Sequence, residues 1–376
     1  MNNLSFNLYG FYKFVFFIFL FEMILKENSL LPTPFINIIF YLTTFLMSIC
    51  CLLCFKKANV LPFPIIFFIS VIWVYFLVLD LYSIESFLFL MAKTIILIFF
   101  SFFIFLIFVN KDRHLLKTMA SFLIFISFIS LISMRYNDER LIGIFTNSNE
   151  LGLFSVIALI FTTTLVKEKK KVVLYSSILL LIIIMTGSRT SMLSAGLVLI
   201  FNRKIPTSIK LIGVIVVIAL FSLLNLSFSR LPDASFLTSR GLEWGMALYA
   251  ITEYPIFGSG LASYDGHSRK LLQIYSTFEI YSAHNGYLSL AIMLGIPLAL
   301  SIILVLAYPF LSILFSPKKH SNDLILISFL GTLVFFFSGL TESVFTGINA
   351  LTSNLLWFLY IFLNYSIRYR LYSNNF

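Results

Sequence analysis

Apolar runs long enough to cross a lipid bilayer follow one another almost without pause along this chain, and that succession dictates its fold. A spanning helix needs about 20 mostly apolar residues. Runs of this kind fall near 4–25, 35–55, 61–79, 87–109, 115–134, 149–166, 172–187, 190–202, 208–228, 286–315, 324–340 and 350–367. The eighth is short, and the tenth is long enough to tilt or kink at Gly295-Ile296-Pro297. The predicted fold is all-α: a polytopic membrane helix bundle of about 12 spans, forming a single membrane domain over residues 1–376. Composition agrees, because only 11% of residues are charged and mean hydropathy is +1.00. A soluble domain carries about 25% charged residues, so lipid is the solvent this surface requires. The first run is too long for a signal-peptide core and lacks a basic leader, which makes it the first span.

The charges between the runs set orientation. Lys56-Lys57, Lys111 with Arg113 and Lys117, the Lys167–Lys171 cluster, Arg203-Lys204 with Lys210, Lys318-Lys319, and Arg368 with Arg370 fall in alternate connections. The connection around Asp80 and Glu85 carries no basic residue. By the positive-inside rule the basic connections and both termini face the cytoplasm. A net charge of +10 could suggest nucleic acid, but these cations sit in short clusters between apolar runs rather than along a groove. Membrane lipid is the expected partner, and nucleic acid is not.

One connection stands apart. Between residues 229 and 283 the apolar runs stop, yet the segment keeps Trp244, Tyr249, Tyr254, Phe257 and other aromatics. A solvated linker would carry fewer. Residues 240–251 read as an amphipathic helix closed by Pro255, with a turn at Gly258-Ser259-Gly260. The segment is expected to be a structured extracytoplasmic cap.

Candidate chemistry gathers on that same face. Arg189 lies in Thr186-Gly187-Ser188-Arg189-Thr190, a tight break between two apolar runs. An arginine near a helix centre in hydrocarbon costs at least ~2.5 kcal/mol, so this one is either part of an anion site at a helix start or an anchor that snorkels to water. Arg240 opens the cap helix with Trp244 one turn on. It reads as a second anion-binding arginine, or as a surface cation–π pair worth about 0.5–1 kcal/mol. His284, in Ala283-His284-Asn285-Gly286, stands where the cap re-enters the membrane. A neutral imidazole can accept a proton near neutral pH; the alternative is an interfacial histidine bonded to backbone. Asn285 could orient it or a bound sugar. Glu342 and the polar loop Gly143–Glu150, with Asn149, complete the possible substrate contacts.

Metal chemistry finds no support in the spacing. Cys50, Cys51 and Cys54 lie inside one apolar run and read as packing rather than a redox or metal pair, and the four histidines are scattered without zinc spacing. Two guanidinium groups and one imidazole suit a reaction in which pyrophosphate leaves while a hydroxyl attacks.

Four ordered stretches carry a likeness to known proteins: Gly143 to Gly152, Thr186 to Thr190, Arg240-x-x-x-Trp244 through Gly260, and His284-Asn285 with Gly295-Ile296-Pro297. In order and spacing they resemble the O-antigen ligase and Wzy-type polymerase superfamily of bacterial envelope glycan enzymes. The resemblance implies a GT-C-like bundle in the bacterial cytoplasmic (inner) membrane with its active face extracytoplasmic. It implies metal-independent, cofactor-free, inverting glycosyl transfer from a glycan on undecaprenyl pyrophosphate. Arg189 and Arg240 would bind the pyrophosphate, and His284 would activate the acceptor hydroxyl. Donor and acceptor would be lipid-linked oligosaccharides, with a chain-length regulator and a flippase as neighbours. A repeat-unit polymerase is favoured by the Asn147-x-Asn149 loop and the compact size. The alternatives are an O-antigen ligase acting on lipid A–core, or a lipid-linked glycan flippase or transporter, although transporters place their sites near the bilayer midplane.

Overall fold

The computed structural model describes residues 2–28, 32–54, 60–79, 84–137, 139–202, 205, 236–261, 283–315, 323–347 and 350–373. These residues hold thirteen helices and one two-residue hairpin. In chain order they are α1 (Asn2–Asn28), α2 (Thr33–Leu53), α3 (Phe63–Leu79), α4 (Ile84–Val109), α5 (Arg113–Ile132), β1 (Tyr136–Asn137), β2 (Arg140–Leu141), α6 (Ser148–Leu165), α7 (Lys169–Met185), α8 (Arg189–Phe201), α9 (Phe236–Glu253), α10 (Gly286–Leu294), α11 (Ile296–Leu314), α12 (Asp323–Ser338) and α13 (Leu351–Ser373).

Helices therefore occupy eleven of the expected runs; the run at 208–228 lies outside the described residues. Six of the described helices are both long and apolar enough to cross a bilayer. The expected number of spans was larger, and the reason is length and polarity. At ~1.5 Å per residue, the 16 residues of α12 and the 13 of α8 fall short of the hydrocarbon thickness, and α13 ends in a polar stretch around Arg368. The bundle is multi-pass, and its outer faces agree with a lipid solvent: Phe45, Phe63, Leu77, Phe125 and Tyr308 are among many large side chains that no protein covers.

The centre of the bundle is α6. Every residue from Leu151 to Thr164 is buried, as expected for a helix that is apolar around its whole circumference. Helices α5, α7, α8, α12 and α13 pack around it. Its three consecutive threonines hide their polarity locally: Thr162, Thr163 and Thr164 each donate to the carbonyl four residues back, at 2.5–2.8 Å. Aromatic stacking joins the first helix to the last. Phe16 meets Phe103 and Phe358 at centroid distances of 4.8 and 5.3 Å, and Tyr12 stacks on Phe99 at 5.3 Å. The cysteines are free thiols in and just after α2, with Cys50 and Cys54 buried in this packing.

The kink expected in the tenth span is a complete break. α10 stops at Leu294, Gly295 turns with φ +79°, and α11 restarts with proline in its first turn. A break inside an apolar bundle strands backbone groups that water cannot reach. The segment after α9 fills the gap: Ser259 N–H donates to Ile292 (2.7 Å), Gly260 N–H to Met293 (3.2 Å), and Ile296 N–H donates back to Pro255 (2.8 Å). The approach is so close that a Cβ on Gly295 would lie 2.1 Å from the Ile256 carbonyl oxygen. The cap helix itself spans Phe236–Glu253, so Arg240 sits in its second turn rather than opening it. Its small face, Ala247, Ala250 and Ile251, packs on Ile292 of α10 and on Ala283, while Trp244, Leu248 and Tyr249 face outward.

At the opposite end of the bundle, Asp112 joins three segments. Its carboxylate caps α5 by accepting from Leu115 N–H at 3.0 Å, accepts from the Tyr9 hydroxyl at 3.0 Å, and pairs with Lys13. Lys13, which lies inside the first apolar run, is thus paired and partly shielded. Burial alone pushes the Asp112 carboxyl up, but Lys13, the Leu115 amide and Tyr9 together hold it below the usual carboxylate value.

Candidate functional site

Three helix N-termini converge on Leu340-Thr341-Glu342, in the connection between α12 and α13. Each arrives through a side chain that its own sequence has left available. In the Asn147-x-Asn149 pair the first asparagine caps α6, its Oδ1 accepting the Asn149 N–H at 2.8 Å. That frees the Asn149 side chain, whose Nδ2 donates to Glu342 Oε1 at 3.1 Å. Ser188 caps α8, and two residues on Thr190 donates its hydroxyl to Thr341 Oγ1 at 2.8 Å. Asn285 caps α10 by accepting from Tyr287 and Leu288 N–H at 3.0 and 3.1 Å, and donates Nδ2 to the Leu340 carbonyl at 3.0 Å.

Each helix N-terminus carries roughly half a positive elementary charge. Three of them around one spot, with Arg189 as the first residue of α8, form a field that favours an anion. Glu342 is the resident anion. Its Oε2 lies 3.9 Å from His284 Nδ1, too long for a hydrogen bond but close enough for ion-pair attraction. The histidine side chain is 42% exposed and the glutamate 22%, so the ring reaches solvent while the carboxylate is shielded behind it.

His284 is held in a left-handed backbone conformation, φ +43°, which is uncommon for a residue with a side chain. The residue after next explains how. Gly286 N–H donates to the Gly339 carbonyl at 2.7 Å, and a Cβ on Gly286 would lie 2.7 Å from the Phe345 ring. Only glycine lets α10 start this close to the α12–α13 connection, and the chain must turn sharply at His284 to enter it.

Behind Glu342 runs a chain of polar contacts that the sequence does not announce. Arg140 donates Nη2 to Asn149 Oδ1 at 2.7 Å and Nε to the Thr186 carbonyl at 2.8 Å. It thereby ties the β hairpin to the start of α6 and to the break before Arg189. The signal available was its position seven residues before Asn147 on the same expected face. Lys93, buried in α4, donates to the Gly347 carbonyl at 3.0 Å and sits 5.1 Å above the Trp357 ring. A buried lysine in a span calls for a role, and here it fixes the connection that presents Glu342. Glu150 anchors the start of α13 by accepting from Thr352.

The structure thus brings His284, Asn285, Asn149 and Glu342 together, with Arg189 adjoining through Thr190. Trp244 stands on the outward face of α9, half-exposed. The side chain of Arg240 lies outside the described residues. Among the described residues no three of His, Cys, Asp and Glu gather closely enough to hold a metal ion.

Fold and rim together define a multi-pass membrane protein with an anion-favouring polar site at one end of its helix bundle. Residues 141–303 match the family model of the Wzy_C domain, described as O-antigen ligase. Over that stretch, less than half of the chain, the protein is similar to the O-antigen ligase (Wzy_C) family. The matched stretch holds all four resembling motifs and every candidate site residue except Glu342, which comes from beyond it. No curated protein matches the chain.

Proposed function

We propose that this protein polymerises lipid-linked oligosaccharide repeat units on the extracytoplasmic face of the bacterial cytoplasmic membrane, transferring the growing glycan from undecaprenyl pyrophosphate to an acceptor hydroxyl. The observation that carries the reading is the meeting of three helix N-termini with Glu342 and His284 at one rim. A pyrophosphate is an anion that such a field attracts, and Arg189, with Arg240 from the cap helix, supplies planar guanidinium donors for it. Asn285 at this rim and Trp244 on the exposed face of the cap helix are the proposed sugar contacts.

In the reaction the acceptor oxygen forms a bond to the anomeric carbon while the bond from that carbon to the pyrophosphate oxygen breaks. The leaving group departs with the electron pair, and a single displacement inverts the configuration. The hydroxyl proton passes to the solvent-facing imidazole of His284. The Glu342 carboxylate orients the ring and stabilises the imidazolium, while Asn149 and Arg140 hold Glu342 in place. Developing charge on the leaving oxygens is met by the arginines. A rim site of this kind supports an enzyme over a transporter, whose site belongs near the midplane.

Ligation to lipid A–core is the second reading, favoured by the description of the matched family. One experiment separates the two. In a strain deleted for this gene and making only unpolymerised glycan, the wild-type gene should restore a ladder of chain lengths. Restoration by His284→Ala at normal abundance would remove the histidine from the mechanism. Full-length glycan retained on the lipid carrier after deletion would replace polymerase with ligase. Orientation is tested by labelling Asp265→Cys and Lys318→Cys variants, which should react from opposite sides of the membrane.

A further inference from the structure

The rim opposite His284 contains a crevice that glycosyl transfer does not use. It encloses about 310 Å³ between the end of α4, the start of α5, the start of α12 and the middle of α13. A tight turn shapes its mouth. Asp112 N–H donates to the Ile107 carbonyl at 3.1 Å, and Lys111 takes a left-handed φ of +49°. The turn leaves Lys111 and Arg113 exposed on either side of Asp112. The carboxylates at the mouth are Asp112, engaged by Lys13, Tyr9 and the Leu115 amide, and Asp323 at the start of α12; against these two stand Lys13, Lys111 and Arg113, so the mouth keeps a net positive charge. Beneath it the walls are apolar: Phe108, Leu116, Leu324 and Phe362.

Depth places this crevice at a bilayer surface. α12 begins beside it at Asp323 and ends, 16 residues later, beside the His284 rim, a rise of about 24 Å. α5 likewise begins at the crevice and spans 20 residues, about 30 Å, which is the thickness of the hydrocarbon core. Cations over an apolar slot at headgroup depth complement an anionic phospholipid, with the phosphate between Lys111 and Arg113 and an acyl chain against the apolar walls. Free phosphate would leave the walls unused, and a zwitterionic lipid would bring no net charge to the cations.

We propose that this crevice is a binding site for an anionic phospholipid of the leaflet opposite the His284 rim. The inference is independent of the transfer reaction. The test uses the full-length protein purified in neutral detergent and titrated with phosphatidylglycerol or phosphatidylcholine, with bound lipid counted by native mass spectrometry. Phosphatidylglycerol should bind in preference. Lys111→Gln with Arg113→Gln should weaken it at least tenfold, whereas Lys169→Gln with Lys170→Gln, exposed cations elsewhere, should not. Leu324→Trp keeps both cations and fills the slot, and it too should weaken binding at least tenfold, which guards against misfolding of the double variant. Equal loss from the Lys169 and Lys170 control, undiminished binding by Leu324→Trp, or equal affinity for phosphatidylcholine would each overturn the proposal. Competition by glycerol phosphate at the same concentration as lipid would overturn it as well.

Discussion

The two rims of this bundle handle charge in opposite ways. At the Asp112 rim a carboxylate meets a lysine directly, with a tyrosine and a helix amide closing the remaining directions. At the His284 rim the carboxylate of Glu342 meets its histidine only at 3.9 Å and is reached from Arg140 through the neutral amide of Asn149. The first arrangement is complete and serves to staple α1 to the α4–α5 turn. The second keeps a partly exposed ring and an excess of positive helix ends. An ion pair satisfied within the protein holds structure, and one held apart is available to a substrate.

The most damaging test of this contrast is His284→Ala, which should lower glycan transfer by about 10²–10⁴ if the ring takes the acceptor proton, measured with purified protein and lipid-linked substrate. Thermal stability should change little. Glu342→Gln keeps the shape and loses the charge. A hydrogen bond or pair involving a charged group is worth about 1.5–3 kcal/mol, so transfer should fall roughly tenfold or more, and unchanged turnover would reduce Glu342 to a helix-end residue. Lys93→Met removes a buried amine while keeping volume. Loss of the desolvation penalty offsets loss of the Gly347 bond, so the midpoint of thermal unfolding should move by only a few degrees, roughly the effect of 1 kcal/mol, while transfer falls severalfold because Glu342 is less firmly presented. A large drop in the midpoint with transfer per folded molecule intact would make Lys93 purely structural.

The smallest effect belongs to the stapled rim. Asp112→Asn should cost at most about 1 kcal/mol and leave transfer intact. Its pH dependence has a definite sign. The folded carboxyl lies below its usual value, so the contribution is present above the unfolded value of about 3.9 and disappears as pH falls through the depressed folded value. Wild type and variant should therefore converge in acid and separate toward neutral pH.

Much of the fold was legible because hydropathy reports solvent. Helix ends such as those of α6, expected at 149–166 and observed at Ser148–Leu165, follow from where apolar residues stop. A tilt or kink was readable at Gly295-Ile296-Pro297, though not the complete break. His284, Asn285, Asn149 and Glu342 could each be picked out singly as candidates, but not as a contact set. Asn149 and Glu342 are 193 residues apart, and nothing local in either segment names the other. Arg140 escaped because charge at a membrane rim reads as a topology signal first. Lys93 falls within the apolar run at 87–109, but its partner is a backbone carbonyl 254 residues away, and no side-chain pattern marks it.

The zipper at the Gly295 break has a mechanical corollary. α9 lies against α10 through Ala250 and Ile292, and the segment that follows α9 is stitched to the far end of α10 by two main-chain hydrogen bonds and to the first residue of α11 by a third. The cap helix is therefore no hinged door. To shift, it must either tear that seam or swing α10 as a lever, and at the lever's other tip stands His284.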